Sequence, residues 1–356
     1  MNNAISHSNP FFSILIPSFN RPVELKRCVE SVLKSSFDDF EIIVSDDNSP
    51  QKIEITEVMS AFSENKKVIF FQQPFNLKEP GNKNFLVSKA IGKFNIVIGD
   101  DDVIGANTLS SLHTSVVENP AYDIYGFGYF IVNEYNQSVS IHSASNFTVL
   151  STKDRVKFLF EFGVSPMGFI HPATFCCRAG IEREISYRED VGIGEDLCFL
   201  LQAVARDYSL VAIPLPLFNW RKVQNISAVD QGNQSAEHLA SFKAKYLTYQ
   251  VLRKEIFSNQ SLYKYILSPL FRFKFLYMEI LADPIASQLS GSELGIDFDT
   301  EGELDTFKNS FFYRLRVRAR RLFGFVDLCR IIGVASALQW IIKFLSFRAK
   351  NTHNAK

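Results

Sequence analysis

The chain reads as an α/β protein: a mixed, mostly parallel sheet flanked by helices, followed by a helical C-terminal extension. Three observations carry that reading. Short apolar runs alternate with amphipathic helical patterns from residue 11 to about 118, the signature of a doubly wound sheet with right-handed crossovers. Two of those runs stop abruptly on carboxylates, Asp46-Asp47 and Asp100-Asp101-Asp102, at the strand ends where open α/β sheets bind ligands. Beyond residue 236 the pattern turns helical and aromatic and ends in a basic tail. A length of 356 residues holds one large domain with an appendage. We expect the first domain over 1–230 and a mostly helical C-terminal region over 231–356.

Taken in order, residues 11–17 form a first buried strand ended by Pro17. Asn20 is placed to cap a helix with Pro22 in its first turn. Leu25, Cys28, Val29, Val32 and Leu33 then repeat at helical spacing. Phe40 to Val44 is a second strand, with 45–50 its carboxyl-end loop. Ile55, Val58, Met59 and Phe62 mark a second helix, and Val68 to Phe71 a third strand. A loop over 72–81 leads into a helix that runs to Ala90 and is ended by Gly92. From Phe94 an apolar run leads into the acidic triplet. Its lack of alternation indicates a strand buried on both faces. Residues 122–141 change to short aromatic and β-branched runs, read as antiparallel strands. Residues 165–177 form a loop and strand near the same cleft. Gly192-Ile193-Gly194-Glu195-Asp196-Leu197 opens an apolar helix to Ala205, Val211 to Pro214 is a short strand, and Trp220-Arg221 begins a polar loop.

The triplet invites chemistry. Three adjacent carboxylates repel, and a folded site that crowds them is relieved by a cation. A hard divalent ion that also grips a diphosphate suits the arrangement. The simpler alternative is a solvated acidic turn with Asp102 capping the next helix.

Composition narrows the class further. Five cysteines without CxxC spacing argue against a disulfide framework or a zinc site and for a reducing compartment. Met1 to Pro10 lacks the apolar core of a signal peptide, so we expect a cytoplasmic protein. Formal charge sums to zero, but unevenly: Glu293 to Asp305 carries six acids and no base, and Lys308 to Lys356 eleven bases and one acid. The apolar run from Ile331 to Ile342 rises only about 18 Å as a helix, too short for a hydrocarbon core of about 30 Å. A basic amphipathic element on the anionic inner face of the cell membrane fits it better. The competing reading is a helix packed on the body with a solvated Arg face. A nucleic-acid arm ranks behind both, because no nucleic-acid-binding motif accompanies the charge.

Four motifs in order resemble glycosyltransferase family 2. They are Ile14-Leu15-Ile16-Pro17-Ser18-Phe19-Asn20-Arg21, Ile42 to Ser49, Gly99-Asp100-Asp101-Asp102 and Gly194-Glu195-Asp196-Leu197. The resemblance spans residues 10–225 and implies a GT-A fold, a nucleotide-sugar donor, a divalent Mn²⁺ or Mg²⁺, and inversion at the anomeric carbon. It makes Pro17, Phe19 and Arg21 the first nucleotide loop. Asp47 becomes the partner of the base's imide N–H, with Asp46 beside it, which favours a UDP-sugar. Lys83 and Asn84 match a basic-Asn pair near the nucleotide. Asp100 corresponds to the ribose contact, Asp101 to the metal ligand with Asp102 in support, and Glu195-Asp196 to the base motif, Asp196 being the base. At a helix start the dipole lowers the pKa of Asp196 and burial beside an acceptor raises it, and we expect the two to cancel. Glu189-Asp190 ranks lower as a base because it lacks the preceding Gly and the following apolar helix.

The sequence departs from the family in one place. Relatives carry a His after a Tyr-Arg pair, whereas Trp220-Arg221-Lys222-Val223-Gln224 has none. Arg221 or Lys222 is a candidate replacement, and Trp220 with it for contacts to acceptor or diphosphate. His171 is a further candidate acceptor contact. The expected acceptor is a glycan or lipid-linked glycan of bacterial surface polysaccharide (O-antigen or capsule) synthesis. The competing functions are a sugar-phosphate nucleotidyltransferase and a non-catalytic sugar-nucleotide or glycan-binding domain. Residues 18–22 are not the Gly-rich basic loop of the former, and the intact Asp101 and Asp196 argue against the latter.

Overall fold

The computed structural model describes residues 9–133, 137–144, 147–162, 175–192, 194–221, 248, 251–252, 254–256 and 258–262. Strands β1 (Phe12–Ser18), β2 (Phe40–Asp46), β3 (Val68–Gln72) and β4 (Phe94–Val97) alternate with helices α1 (Pro22–Leu33), α2 (Lys52–Ser60) and α3 (Lys78–Lys89). Next come β5 (Val103–Ile104), α4 (Thr108–Glu118), β6 (Ile124–Val132), β7 (Ser138–His142), β8 (Phe147–Val149) and α5 (Thr152–Phe162). The set closes with β9 (Phe175–Arg178), α6 (Ile181–Ile185), α7 (Glu195–Ala205) and β10 (Leu210–Arg221). The sheet runs β3-β2-β1-β4-β9-β6-β10-β5, with β7 on β6 and β8 on β10. Its first four strands are parallel, β9 enters antiparallel between β4 and β6, and β10 returns parallel to β6.

Alternate residues of the central strands feed two cores, one on each face. Ile14, Ile16, Ile42 and Val44 join Leu25, Val29 and Val32 of α1 and Leu109 and Leu112 of α4. Leu15 and Ile43 instead join Leu86 and Val87 of α3, Ile181 of α6 and Phe199 of α7. Burial on both faces is why the strands read as unbroken apolar runs.

The parallel register determines where the site can lie. Ser18 pairs with Asp46 and Leu15 with Val97, so Asp100, three residues past Val97, falls level with Ser18. The acidic ends of β2 and β4 therefore flank the end of β1.

Several expectations are corrected. Asn20 is not the cap of α1: it takes a left-handed φ of 60° and gives its N–H to Ser49 Oγ at 2.7 Å, while Arg21 holds the cap position without a side-chain bond. Helix α3 begins at Lys78, inside the expected loop. Pro80 is tolerated there because the first-turn N–H groups have no intrahelical acceptor. Asp102 does not cap α4, since β5 intervenes and Asn107 stands at that cap. Strand β10 is much longer than four residues and carries Trp220 and Arg221 within it, at the register of Ile131 and Val132, rather than in a loop. Where described, 251–262 is largely helical, and Ile256 and Leu262 pack into the core that holds α7. Residues 263–356, the predicted tail included, lie outside the described residues. Among the described residues no helix is long and apolar enough to cross a membrane.

The turn from α3 into β4 tests the packing. Glu41 accepts from Ser13 Oγ at 2.5 Å and from the Ile91 N–H at 2.9 Å, and Ser13 Oγ accepts from the Gly92 N–H at 2.8 Å. A Cβ on Gly92 would meet Ser13 Oγ at 2.6 Å and Ser13 N at 2.7 Å. Gly92→Ala should cost about 1–3 kcal/mol through overpacking, read as a lower urea midpoint at unchanged m. Gly105→Ala, whose methyl would lie 3.5 Å from Thr108 Oγ1, should stay within about 0.5 kcal/mol.

Candidate active site

The loops at the carboxyl ends of β1, β2 and β4 meet through hydrogen bonds. Asp46 is fully buried and spent on its own loop: it accepts from the Ser49 N–H at 3.4 Å, from the Ser49 hydroxyl, and from Gln72 Nε2 at 3.3 Å. Asp47 gives its N–H to Ser18 O at 2.9 Å and accepts the Leu77 N–H on Oδ1 at 2.6 Å. Its pKa is raised by burial. Asn20 and Asn48, in the loops after β1 and β2, and Lys78, at the start of α3, hold left-handed φ values of 60°, 56° and 66°. Asn tolerates that region and Lys does so only under strain.

Asp100 is almost wholly buried. It accepts the Phe19 N–H at 3.2 Å and Arg21 Nη1 at 2.9 Å, and the same guanidinium nitrogen reaches Asp101 Oδ2 at 3.1 Å. Burial pushes Asp100 up to about 6, against the opposing pull of Arg21. Phe19 itself is 44% exposed beside these acids, and Pro17, one residue before the end of β1, pairs with Ser45.

A Cβ on Gly99 would lie 3.0 Å from Asp101 Oδ1 and 3.2 Å from Asp102 Oδ2. The two carboxylates therefore converge over a position that has no side chain. They are hard oxygen donors of the kind Mn²⁺ and Mg²⁺ prefer. Among the described residues no group of three or more His, Cys, Asp or Glu stands ready as a complete metal site. The donor set fits a cation that takes the rest of its shell from diphosphate and water, with Arg21 as the competing positive charge.

The second acidic group lies where α3 meets α7. Gly194 takes the N-cap of α7 with φ 103°, a conformation costly for any residue with a Cβ, and so delivers Glu195 and Asp196 into the first turn. Lys83 is 3% exposed. Its Nζ contacts Glu195 at 2.6 Å, Asp196 at 3.1 and 3.2 Å, and Glu79 at 3.0 Å, and it lies 5.6 Å from the Tyr187 ring centre. Burial pushes Asp196 up to about 7, with Lys83 pulling the other way. The net shift is upward instead of cancelling, and burial is its largest cause. Glu79 is held below the usual carboxylate range, chiefly by Lys83 and also by Arg21. The field of Arg21 therefore links the triplet to the base motif.

Some predicted residues fall elsewhere. Lys83 lies within α3, not in a loop, and bonds the base motif. Asn84 is spent on Tyr187, donating to its carbonyl and accepting its N–H, both at 2.8 Å. Asp190 is tied to Arg188 at the surface. His171, Lys222, Val223 and Gln224 lie outside the described residues. The sequence reading missed Glu79, although its i,i+4 spacing to Lys83 was visible. It also missed Tyr187 and Glu182, which no local pattern marks: Tyr187 Oη donates to Glu182 at 2.7 Å, as does Asn95 Nδ2 on the other oxygen.

A mixed sheet with acidic loops at the carboxyl ends of neighbouring parallel strands and a second acidic pair at a helix start is the architecture of GT-A glycosyltransferases. Residues 13–183, just under half of the chain, match the model of Glycosyl transferase family 2, the family that the four sequence motifs resemble. Over 113 residues, 32% of this chain and 37% of the relative, it is 33% identical to GalNAc(5)-diNAcBac-PP-undecaprenol beta-1,3-glucosyltransferase of Campylobacter jejuni. The match thus spans little more than a third of that relative's length. S. aureus TarS 1-349 in complex with UDP-GlcNAc superposes with a TM-score of 0.55 at 18% identity, covering 81% of this chain and 76% of that one. The mannosyltransferase PcManGT from Pyrobaculum calidifontis, in complex with GDP-Man and Mn²⁺, gives 0.50 at 13% identity over 89% and 88%. At these identities the two structures speak to fold alone.

The placement of Asn84 generates a test. Asn84→Ala should cost about 1–3 kcal/mol through the unsatisfied Tyr187 backbone, read by chemical denaturation. UDP affinity, measured by calorimetry, should stay within about twofold of wild type. A loss of affinity without a loss of stability would return Asn84 to the nucleotide.

Proposed function

We propose that the protein is an inverting glycosyltransferase that moves a sugar from a UDP-sugar to a hydroxyl of a glycan or lipid-linked glycan in bacterial surface-polysaccharide assembly. One observation carries the reading. The edge that unites Asp47, Asp100, Asp101 and Arg21 reaches, through the field of Arg21 on Glu79, a second acidic group gathered on Lys83, where the partly buried Asp196 is pushed up to about 7.

In this reading Phe19 and Pro17 floor the nucleotide, Asp47 accepts the imide N–H of uracil, and Asp100 holds the ribose. Asp46 keeps that loop in shape. Asp101, with Asp102, holds a divalent cation, whose chemistry is to stabilise charge on the departing diphosphate. Arg21 leaves the carboxylates to meet the same diphosphate. Asp196 takes the acceptor's proton as its oxygen attacks the anomeric carbon from the face opposite the leaving group. Trp220 and Arg221 continue β10 beyond Asn219, which pairs with Val103 just past the triplet, and are assigned to diphosphate or acceptor. His171 keeps its assignment to the acceptor. The C. jejuni relative, named for transfer to a PP-undecaprenol-linked saccharide, supports a lipid-linked acceptor. Residues 308–356 are assigned to the anionic inner surface of the cell membrane.

Asp196→Asn should keep UDP-sugar affinity and lose transfer by about 10² to 10⁴-fold, with Glu195→Gln less damaging. Protonation removes the base, so kcat/KM of the wild type should fall as pH drops through about 7. Asp101→Asn should abolish metal-dependent donor binding while leaving the urea midpoint unchanged, and full transfer in EDTA would sink the metal assignment. Deleting 308–356 should release the protein from anionic vesicles, and wild-type attachment should weaken with added salt. Equal co-sedimentation of the truncated chain would refute that assignment.

A further inference from the structure

We propose that Lys83 is the positioning residue of the transfer reaction: its buried ammonium orients Asp196 toward the acceptor and divides the acidic pair, Glu195 anchoring the cation and Asp196 taking the proton. The inference rests on the reading of Asp196 as base and adds to it the residue through which the base is held.

The argument begins with donor counting. An ammonium has three N–H donors, and three carboxylates stand within reach of Lys83, those of Glu79, Glu195 and Asp196. The shortest bond, 2.6 Å, goes to Glu195, whose other oxygen accepts the Gly194 N–H at 3.1 Å. Both Glu195 oxygens are therefore engaged, and its side chain is only 4% exposed. Asp196 has the longest contacts, with one nitrogen divided between its two oxygens, and its side chain is 15% exposed. Its two oxygens share one donor at longer range, where each Glu195 oxygen has a donor of its own, and solvent reaches it more readily.

The surroundings give the cation its importance. From α3 come Glu79 and Lys83, from α7 Glu195, from the segment between α6 and α7 Tyr187, and from α6 Glu182, which is bonded to Tyr187. Arg21 acts at longer range through Glu79. Three acids share one ammonium, and Lys83 is the charged side chain that opposes the burial that would protonate Asp196. In the step itself the acceptor O–H breaks and the proton joins Asp196 Oδ. The acceptor oxygen bonds the anomeric carbon, and the bond from that carbon to the diphosphate oxygen breaks with its electron pair on the diphosphate.

The test compares wild type, Lys83→Met, Lys83→Arg and Glu79→Gln, the last altering only a side chain that is 65% exposed. Steady-state kinetics with a UDP-sugar are measured across pH. In parallel, the Asp196 carboxyl is titrated by NMR in protein labelled with ¹³C-aspartate, assigned through Asp196→Asn. Lys83→Met should lose about 10²-fold in kcat with donor KM within about twofold, and Lys83→Arg should recover about tenfold of that loss. The Asp196 titration and the acid limb of kcat/KM should move up by more than about one pH unit in Lys83→Met and down in Glu79→Gln. In the Asp196→Asn background, Lys83→Met should cost nothing further. A donor KM raised tenfold at unchanged kcat would make Lys83 a nucleotide contact and overturn the proposal. So would an Asp196 titration that moves in neither variant, and Glu79→Gln decides the matter if Lys83→Met does not fold. A wild type that transfers from no UDP-sugar while its titration still responds would defeat the enzymatic reading and leave the Lys83–Asp196 coupling standing.

Discussion

Lys83 is an ammonium withdrawn from water and enclosed by acids. Moving a lone charge into a protein interior costs several kcal/mol even after relaxation, so the cation persists at 3% exposure only because Glu79, Glu195 and Asp196 meet all its donors. The dependence is mutual, since the two adjacent acids at the start of α7 share this one cation. This shared charge ties α3, which packs on β1 and β2, to α7 on the same face of the sheet. Asn84, one residue on, fixes the backbone of Tyr187, and Tyr187 donates to Glu182, whose other oxygen accepts from Asn95. A polar column thus runs through an otherwise apolar layer from the sheet to the candidate base.

The same logic governs the other acidic edge with a different cation. Arg21 sits one residue before α1 and spans Asp100 and Asp101 with a single nitrogen. It is partly exposed, where Lys83 is sealed. A partly exposed guanidinium can leave its carboxylates for a phosphate at small cost, because its geometry matches either partner. A sealed ammonium cannot, so the fold separates a fixed charge at Glu195 and Asp196 from a movable one at Asp100 and Asp101. Glu79 stands between them.

Backbone strain follows the same map. Asn20, Asn48 and Lys78 take left-handed conformations in the loops that carry Phe19, Asp47 and the start of α3. The surrounding bonds, Asn20 N–H to Ser49 Oγ and Leu77 N–H to Asp47 Oδ1, hold conformations the chain would otherwise leave. Strain of this kind gathers where a site is held ready for a ligand.

The amino-acid sequence by itself determined the strand–helix alternation, the two-faced burial of the central strands and the acidic ends of β2 and β4. All three are local in sequence and follow from periodicity and from where apolar runs stop. Among the described residues Cys28, Cys176, Cys177 and Cys198 are buried free thiols. What local pattern could not reveal was partnership across the chain. Lys83 and Glu195 are 112 residues apart and Asn84 and Tyr187 are 103 apart, so neither bond leaves a mark on the residues beside it. The length of β10 was hidden because Pro214 and Pro216 interrupt its pattern. The strand passes them through register shifts between Ile213 and Phe218, which only pairing with β6 stabilises. The pKa of Asp196 was undecidable in the same way. The helix start is written in the local sequence, but the burial that raises Asp196 and the Lys83 ammonium that opposes it come from elements distant in the chain, which only the tertiary structure brings together.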